Sequence, residues 1–406
     1  MVQELAEDLT RRGHRVTVVT GWPSHPQGAL YPGWHSAWRR LERCPEGYDV
    51  LRCGHSFGPR KRLLHRLWYT LTYAVSTFVN ALTLPRVDVF MWGMPAVFGS
   101  VAYGLLARLK GARFVYYVPD LMPEAIQTAG MISQGRAFRL MKAVDAWLCR
   151  RADLVTTLSE NLRSGIASRG IDPAKIRVIP FWIDGQKVRP GEHDNPWRRQ
   201  HGIAPETFVA LYAGTIGYVS GAGVLADVAG MLADRKDILL LVVGEGPVKD
   251  DLQAAAVQRR LSNLQFLPFQ PTDQLNDMQA TADVGLVTLL PAAGDNSVPS
   301  KVLGYLAAGR AVIASVHEGS PTAQTLRQGR CGWAVPPQDA RAMAEAIRHA
   351  ADHRGEPAEL GRNAREHFLR HFDRHSSVLQ WEQALLSTMA KRRPGRSSLE
   401  PPGDSR

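Results

Sequence analysis

Short runs rich in Val, Ile, Leu and Phe alternate along this chain with longer stretches of helical spacing, and that alternation limits the fold more tightly than any single residue does. Strand and helix in repetition build βαβ units, whose parallel sheets are covered on both faces and so read as continuous apolar runs. The runs predict strands at 16–20, 49–52, 87–92, 113–117, 154–157 and 176–179 in the first half. In the second half they fall at 208–213, 238–244, 264–266, 284–289, 311–314 and 332–335. An α/β protein of two doubly wound, Rossmann-like parallel-sheet domains follows, since 406 residues suit two cores better than one. The polar stretch Lys187 to Pro196, with two prolines and a glycine, reads as an exposed connection. The first domain is therefore expected over 1–186 and the second over 197–372, followed by a C-terminal helix at 373–390 and a disordered tail at 391–406.

A doubly wound domain ordinarily opens on a strand and a glycine turn that feed its first helix. Here Val2, Leu5, Ala6 and Leu9 already have helical spacing, so the first strand of the N-terminal domain is expected to be missing. Four scattered cysteines with no metal-ligand spacing predict a reducing compartment and no structural zinc. The first residues lack the apolar core of a signal peptide, which predicts a cytoplasmic protein.

The net charge of +11 is unevenly placed: residues 1–185 hold 24 Lys and Arg against 14 Asp and Glu, whereas the remainder holds 25 against 24. A basic half suits an anionic partner such as a membrane surface or a phosphorylated acceptor, and no nucleic-acid module accompanies it. Segment 60–84 gives that charge a place. Arg60, Lys61, Arg62, His65 and Arg66 lead into an uncharged stretch with Leu67, Leu71, Val75, Phe78 and Leu82 on one helical face and Tyr69, Tyr73, Ser76, Asn80 and Thr83 on another. It reads either as a helix docking on a membrane surface or as a domain helix with a basic lead-in, and it is too polar to span.

Three motifs in the second half carry candidate chemistry. The strand 208–213 runs into Gly214, Thr215 and Gly217; the strand 238–244 closes on Gly244, Glu245, Gly246 and Pro247. Glycine turns at strand carboxyl ends let backbone N–H groups approach a phosphate, and that edge is where open α/β sheets bind ligands. Next, Pro299, Ser300 and Lys301 open a helix that runs through Tyr305, bringing a hydroxyl and an ammonium to its positive end.

The ordered set AGTIG, GEGP, NLQFLPF, ADVGLV and PSKVLGYLAAGRAVIAS resembles the nucleotide-sugar domain of glycosyltransferase family 4, which has the GT-B fold of two such domains facing a cleft. RRGHRVTVVT and the pattern leading to PDLMPE are similar to that family's acceptor domain, in the branch that makes colanic acid, O-antigen and other exopolysaccharides. The resemblance implies a retaining, metal-independent, hexosyl-type transferase that moves sugar from a nucleotide donor to a lipid-linked or other glycan acceptor. It places Gly214, Thr215 and Gly217 at the diphosphate, Gly244, Glu245 and Gly246 near the nucleotide, and Ser300 and Lys301 on the phosphate side. Two acidic positions of the family pattern fall here on Asn296 and Gly304, which leaves ribose contacts to Tyr305, backbone or another group. Lys301 becomes the main protein cation for the diphosphate, because the family's arginine and lysine after the first glycine turn are also absent.

Asp120 and Glu124 in VYYVPDLMPEAI follow a first-half strand, where a carboxylate can orient an acceptor hydroxyl or take its proton, or else cap a helix. His14, His25 and His55 lie near loops without a distinguishing spacing. No D-x-D pair occurs, in keeping with leaving-group stabilisation by protein groups rather than a chelated metal, and no cofactor is expected beyond the nucleotide-sugar substrate. The expected location is peripheral on the inner face of the plasma membrane. Two other readings stay open: a GT-B-fold sugar-nucleotide epimerase, and a non-catalytic remnant or assembly subunit.

Overall fold

The computed structural model describes residues 1–24, 28–58, 63–93, 97–128, 135–292 and 299–390. His25, Arg60, Lys61, Arg62, Asn296 and the expected tail 391–406 lie outside them. The first half runs α1 (Val2–Arg11), β1 (Thr17–Gly21), β2 (Arg39–Arg43), β3 (Asp49–Cys53), α2 (Leu63–Leu82), β4 (Val89–Gly93) and α3 (Val97–Leu109). It continues with β5 (Arg113–Val118), α4 (Met122–Thr128), α5 (Arg136–Arg151), β6 (Leu154–Thr157), α6 (Glu160–Ala167) and β7 (Ile176–Val178). The second half runs α7 (Pro196–Gln200), β8 (Phe208–Ala213), α8 (Val224–Met231), β9 (Ile238–Val243), α9 (Lys249–Gln258), β10 (Leu264–Leu267) and α10 (Leu275–Thr281). Then come β11 (Val284–Thr288), α11 (Lys301–Ala307), β12 (Ala311–Ser315), α12 (Pro321–Gly329), β13 (Gly332–Val335), α13 (Ala340–Asp352), α14 (Gly355–His371) and α15 (Arg374–Ala390).

The second half forms one six-stranded sheet in the order β10-β9-β8-β11-β12-β13, parallel throughout. Its central strands are wholly buried because both faces are covered: Val209 and Leu211 of β8 join one core cluster, and Phe208, Ala210 and Tyr212 the other. In the first half the strands form two sheets, β1-β3-β2 and β4-β5-β6-β7. β2, which the apolar pattern did not predict, pairs antiparallel with β3, so this half is mixed rather than purely parallel. It is an exposed edge strand of sequence RRLER, held by its ladder and by the Arg52–Glu42 ion pair at 2.7 Å.

α2, α3 and α5 cover the Phe114 and Tyr116 side of the β4-β5-β6-β7 sheet. The opposite side, with Val115 and Leu154, is covered by α1 and α15. The last helix thus crosses back from the second half, burying Val378 and Trp381 against the first. At the crossing, Ile183 and Asp373 share an isolated parallel bridge. Arg374 fastens it, reaching Asp8 at 2.6 Å, Glu7 at 2.9 Å and Asp184 at 3.3 Å.

Candidate active site

The carboxyl ends of the two halves meet across a cleft. Asn161, just after β6, donates from Nδ2 to Gly319 O at 2.9 Å and accepts from Gln324 Nε2 at 3.2 Å, both partners following β12. On the second-half wall the two glycine turns interlock: Gly214 N donates to Val243 O at 2.9 Å, and Ile216 N to Glu245 O at 3.0 Å. A Cβ at Gly244 would overlap Gly214 O, and one at Gly246 would overlap Ile216 O. Gly244 also has φ +157°, so here glycine is required by both conformation and close approach.

Lys301 crosses this edge. Its helix α11 packs on the side of the sheet that holds Val209 and Leu211, yet Nζ lies 3.6 Å from the ring centroid of Tyr212, whose side chain belongs to the other side. The side chain passes over the end of β8, where a Cβ on Gly214 would lie 3.6 Å from Lys301 Cε. Burial pulls the ammonium down to a pKa of about 7, and no carboxylate among the described residues pairs with it. Ser300 precedes it, exposed, with no side-chain cap bond. Thr215 is exposed and Gly217 half-buried on the loop that follows, while Tyr212 donates to Thr215 O at 3.1 Å. Glu245 is exposed and ion-paired to Lys249 at 2.7 Å.

Tyr305 is not part of this surface. It is fully buried, its hydroxyl donating to Leu211 O at 2.8 Å and accepting from Ala213 N at 2.7 Å, with its ring filling the space left by Gly285. That corrects the expectation, drawn from the family resemblance, that Tyr305 could contact the ribose: its hydroxyl is used up inside the core. Gly304 is buried as well, and a Cβ there would lie 3.1 Å from Gln279 Nε2.

On the first-half wall Asp120 follows β5, accessible and without a hydrogen-bond partner among the described residues, and the protein packed around it pushes its carboxyl upward. Glu124, two residues into α4, is committed elsewhere: it pairs with Arg169 at 2.6 Å and Lys142 at 3.2 Å, and Arg169 also pairs with the buried Asp145. Its expected place as a free acceptor-side carboxylate gives way to a tether for α4. His55, after β3, has Nε2 3.1 Å from both Trp22 N and Trp22 O and packs against Tyr69 and Tyr73. His14 pairs with Glu382 at 2.8 Å on α15. Sequence reasoning missed Gln338, a residue with φ +62° whose Nε2 donates to Gly221 O at 3.0 Å and so fixes the loop after the first glycine turn. Nothing in the sequence marks it.

Residues 194–367 match the family described as glycosyl transferases group 1, and residues 1–182 match the glycosyl transferase 4-like domain. A putative colanic acid biosynthesis glycosyl transferase of Escherichia coli is 28% identical over 357 residues, 86% of each chain. The fold is similar to that of sucrose-phosphate synthase from Thermosynechococcus elongatus, with TM-score 0.74 and 19% identity over 96% of this chain and 92% of that one. It is also similar to WaaG, a glycosyltransferase involved in lipopolysaccharide biosynthesis, with TM-score 0.66 and 18% identity over 96% and 95%.

Proposed function

This chain belongs to family 4 of the glycosyltransferases and has the GT-B fold, and from that premise we propose that it transfers a hexosyl-type sugar, with retention, from a nucleotide donor to a lipid-linked glycan acceptor of a cell-surface polysaccharide. One observation carries the reading: an ammonium with no counter-ion among the described residues, Lys301, lies beside two interlocked glycine turns at the carboxyl edge of the donor-side sheet. A diphosphate seated there supplies the missing negative charge, with Gly214, Thr215, Gly217 and Ser300 around the phosphates and Gly244, Glu245 and Gly246 toward the nucleotide. As the sugar–phosphate bond breaks, charge grows on the departing diphosphate, and a fixed ammonium in a poorly solvated place stabilises it without a metal. Asp120 holds the acceptor hydroxyl from the opposite wall and receives or directs its proton.

The acceptor class is supported by the relative in colanic acid biosynthesis and by the basic first half, which favours the inner face of an anionic membrane. The match of the first half to a glycosyl transferase 4-like domain, with a relative named as a glycosyl transferase, favours transfer over epimerisation. The test is a thermal-shift and calorimetry panel of sugar nucleotides. Saturable binding of one donor class by the native chain, lost in Lys301→Ala, is expected; binding of no sugar nucleotide overturns the reading. Product anomer by NMR, and turnover in a chelator, test retention and metal independence.

A further inference from the structure

α2 is amphipathic, but it is turned inside out. Its polar residues Ser76, Thr77 and Asn80 are buried, satisfied by bonds such as Thr77 to Tyr103 and Asn80 Nδ2 to Ser76 O at 2.8 Å. Its apolar stripe Leu64, Trp68, Leu71, Val75, Val79 and Leu82 is exposed, with Trp68 58% and Leu71 55% accessible. α3 lies beside α2, and α5 beside α3, in one layer over the same side of the sheet. Each continues the apolar surface outward: Leu105 and Leu109 from α3, Leu140 and Trp147 from α5.

Charge selects the partner. α2 and α3 contain no Asp or Glu, and the single acidic residue of α5, Asp145, is buried against Arg169. Among the described side chains, the exposed arginines of the layer are Arg108, Arg136, Arg139, Arg150 and Arg151, with Arg151 stacked 5.2 Å over the Trp147 ring. An apolar plane studded with guanidinium groups and free of exposed carboxylates would repel a second copy of itself in a two-fold contact. It complements acyl chains beneath acidic headgroups, where arginines and tryptophans sit at the interface. No described helix is long and apolar enough to cross a membrane, so contact is along the surface. We infer that α2, α3 and α5 together form a docking plane for an anionic bilayer. This deepens the lipid-linked-acceptor reading and rests on it for its purpose, although docking is measured without any sugar transfer.

The experiment is flotation of the full chain with phosphatidylglycerol-containing vesicles and with pure phosphatidylcholine vesicles, at low and high salt. Preferential, salt-sensitive binding to the acidic vesicles is expected. Trp68→Ser combined with Leu71→Ser should weaken it roughly tenfold or more through lost apolar burial, and each Arg-to-Gln change at Arg136, Arg139 or Arg150 about fivefold. All these side chains are exposed, so an unchanged melting temperature accompanies the loss. Native-like vesicle binding by the variants, or no binding by the native chain, overturns the inference. So does a dimer in sedimentation that the same variants dissociate. Lys301→Ala separates the two readings, because it should float with acidic vesicles like the native chain while failing to bind donor.

Discussion

The two halves of the chain share one architecture and differ in how completely they are built. Every residue of β8, β9, β11 and β12 is buried inside one continuous sheet. In the first half, β1 is half-exposed along its whole length, β4 is buried only at Trp92, and the two are end strands of separate sheets. α1 spans the break, packing Ala6 against Val50 of one sheet and Leu5 and Leu9 against Val115 of the other. The lesson is a difference in construction: the glycine turns and Lys301 sit at the end of fully buried central strands, whereas Asp120 sits on a half split into two smaller sheets. Hydrogen exchange is the most direct way to break this comparison. Amides of β1 and β4 should exchange on the order of a thousandfold or more faster than those of β8 and β9, since edge strands open locally and buried ones require global unfolding. Equal protection would mean that the two halves unfold as one cooperative unit.

If donor chemistry is concentrated in the second half, Lys301→Ala should lower kcat/KM by roughly 10²- to 10³-fold, the usual cost of losing one group aimed at developing charge. Near-native steady-state rates would remove Lys301 from that role and pass it to the backbone of the glycine turns. Asp120→Asn sharpens the contrast from the other wall: donor affinity should stay native while turnover falls on the order of 100-fold, the lower end for general acid–base groups. A matching fall in donor affinity measured by calorimetry would place Asp120 on the donor instead.

What was legible in the sequence follows the same divide. Every expected strand has a counterpart in the structure, because buried parallel strands announce themselves as apolar runs. β2 does not, since Arg39, Arg40, Glu42 and Arg43 carry no strand signature and owe their conformation to β3 alone. The glycine turns were readable because close backbone approach excludes every other residue. Tyr305 and Glu124 were misplaced because residue type and spacing do not reveal whether a hydroxyl ends in the core or a carboxylate finds an arginine far along the chain. The return of α15 to the first half, where it buries Trp381, depends on tertiary contacts that no local pattern encodes.

The Lys301 ammonium also gives the second half a pH signature of its own. Burial pulls its pKa down to about 7, and a diphosphate bound beside it would restore it toward the ordinary value. Below pH 7 the group is already charged and binding takes up no proton. Above it, each binding event must protonate the lysine, so affinity should fall up to about tenfold per pH unit. Calorimetry in buffers of different ionisation enthalpy should show proton uptake approaching one per donor near pH 8, and Lys301→Arg should abolish it because guanidinium stays charged. No uptake would mean that the ammonium is already protonated in the empty site.

The smallest expected effect concerns the contact that joins the halves. Asn161 makes two bonds across the cleft, to Gly319 O and from Gln324 Nε2. One is exposed and the other part-buried, so together they stabilise the contact between the halves by only about 1 kcal/mol. Asn161→Ala should then reduce kcat/KM about fivefold, with kcat and KM both moving, because closure assembles the two walls before chemistry. The melting temperature should not change, as neither bond lies in either core. If the rate is untouched, the two halves need not hold this contact during turnover, and the cleft is set instead by the crossing at Ile183 and Asp373 with Arg374 clasping Asp8, Glu7 and Asp184.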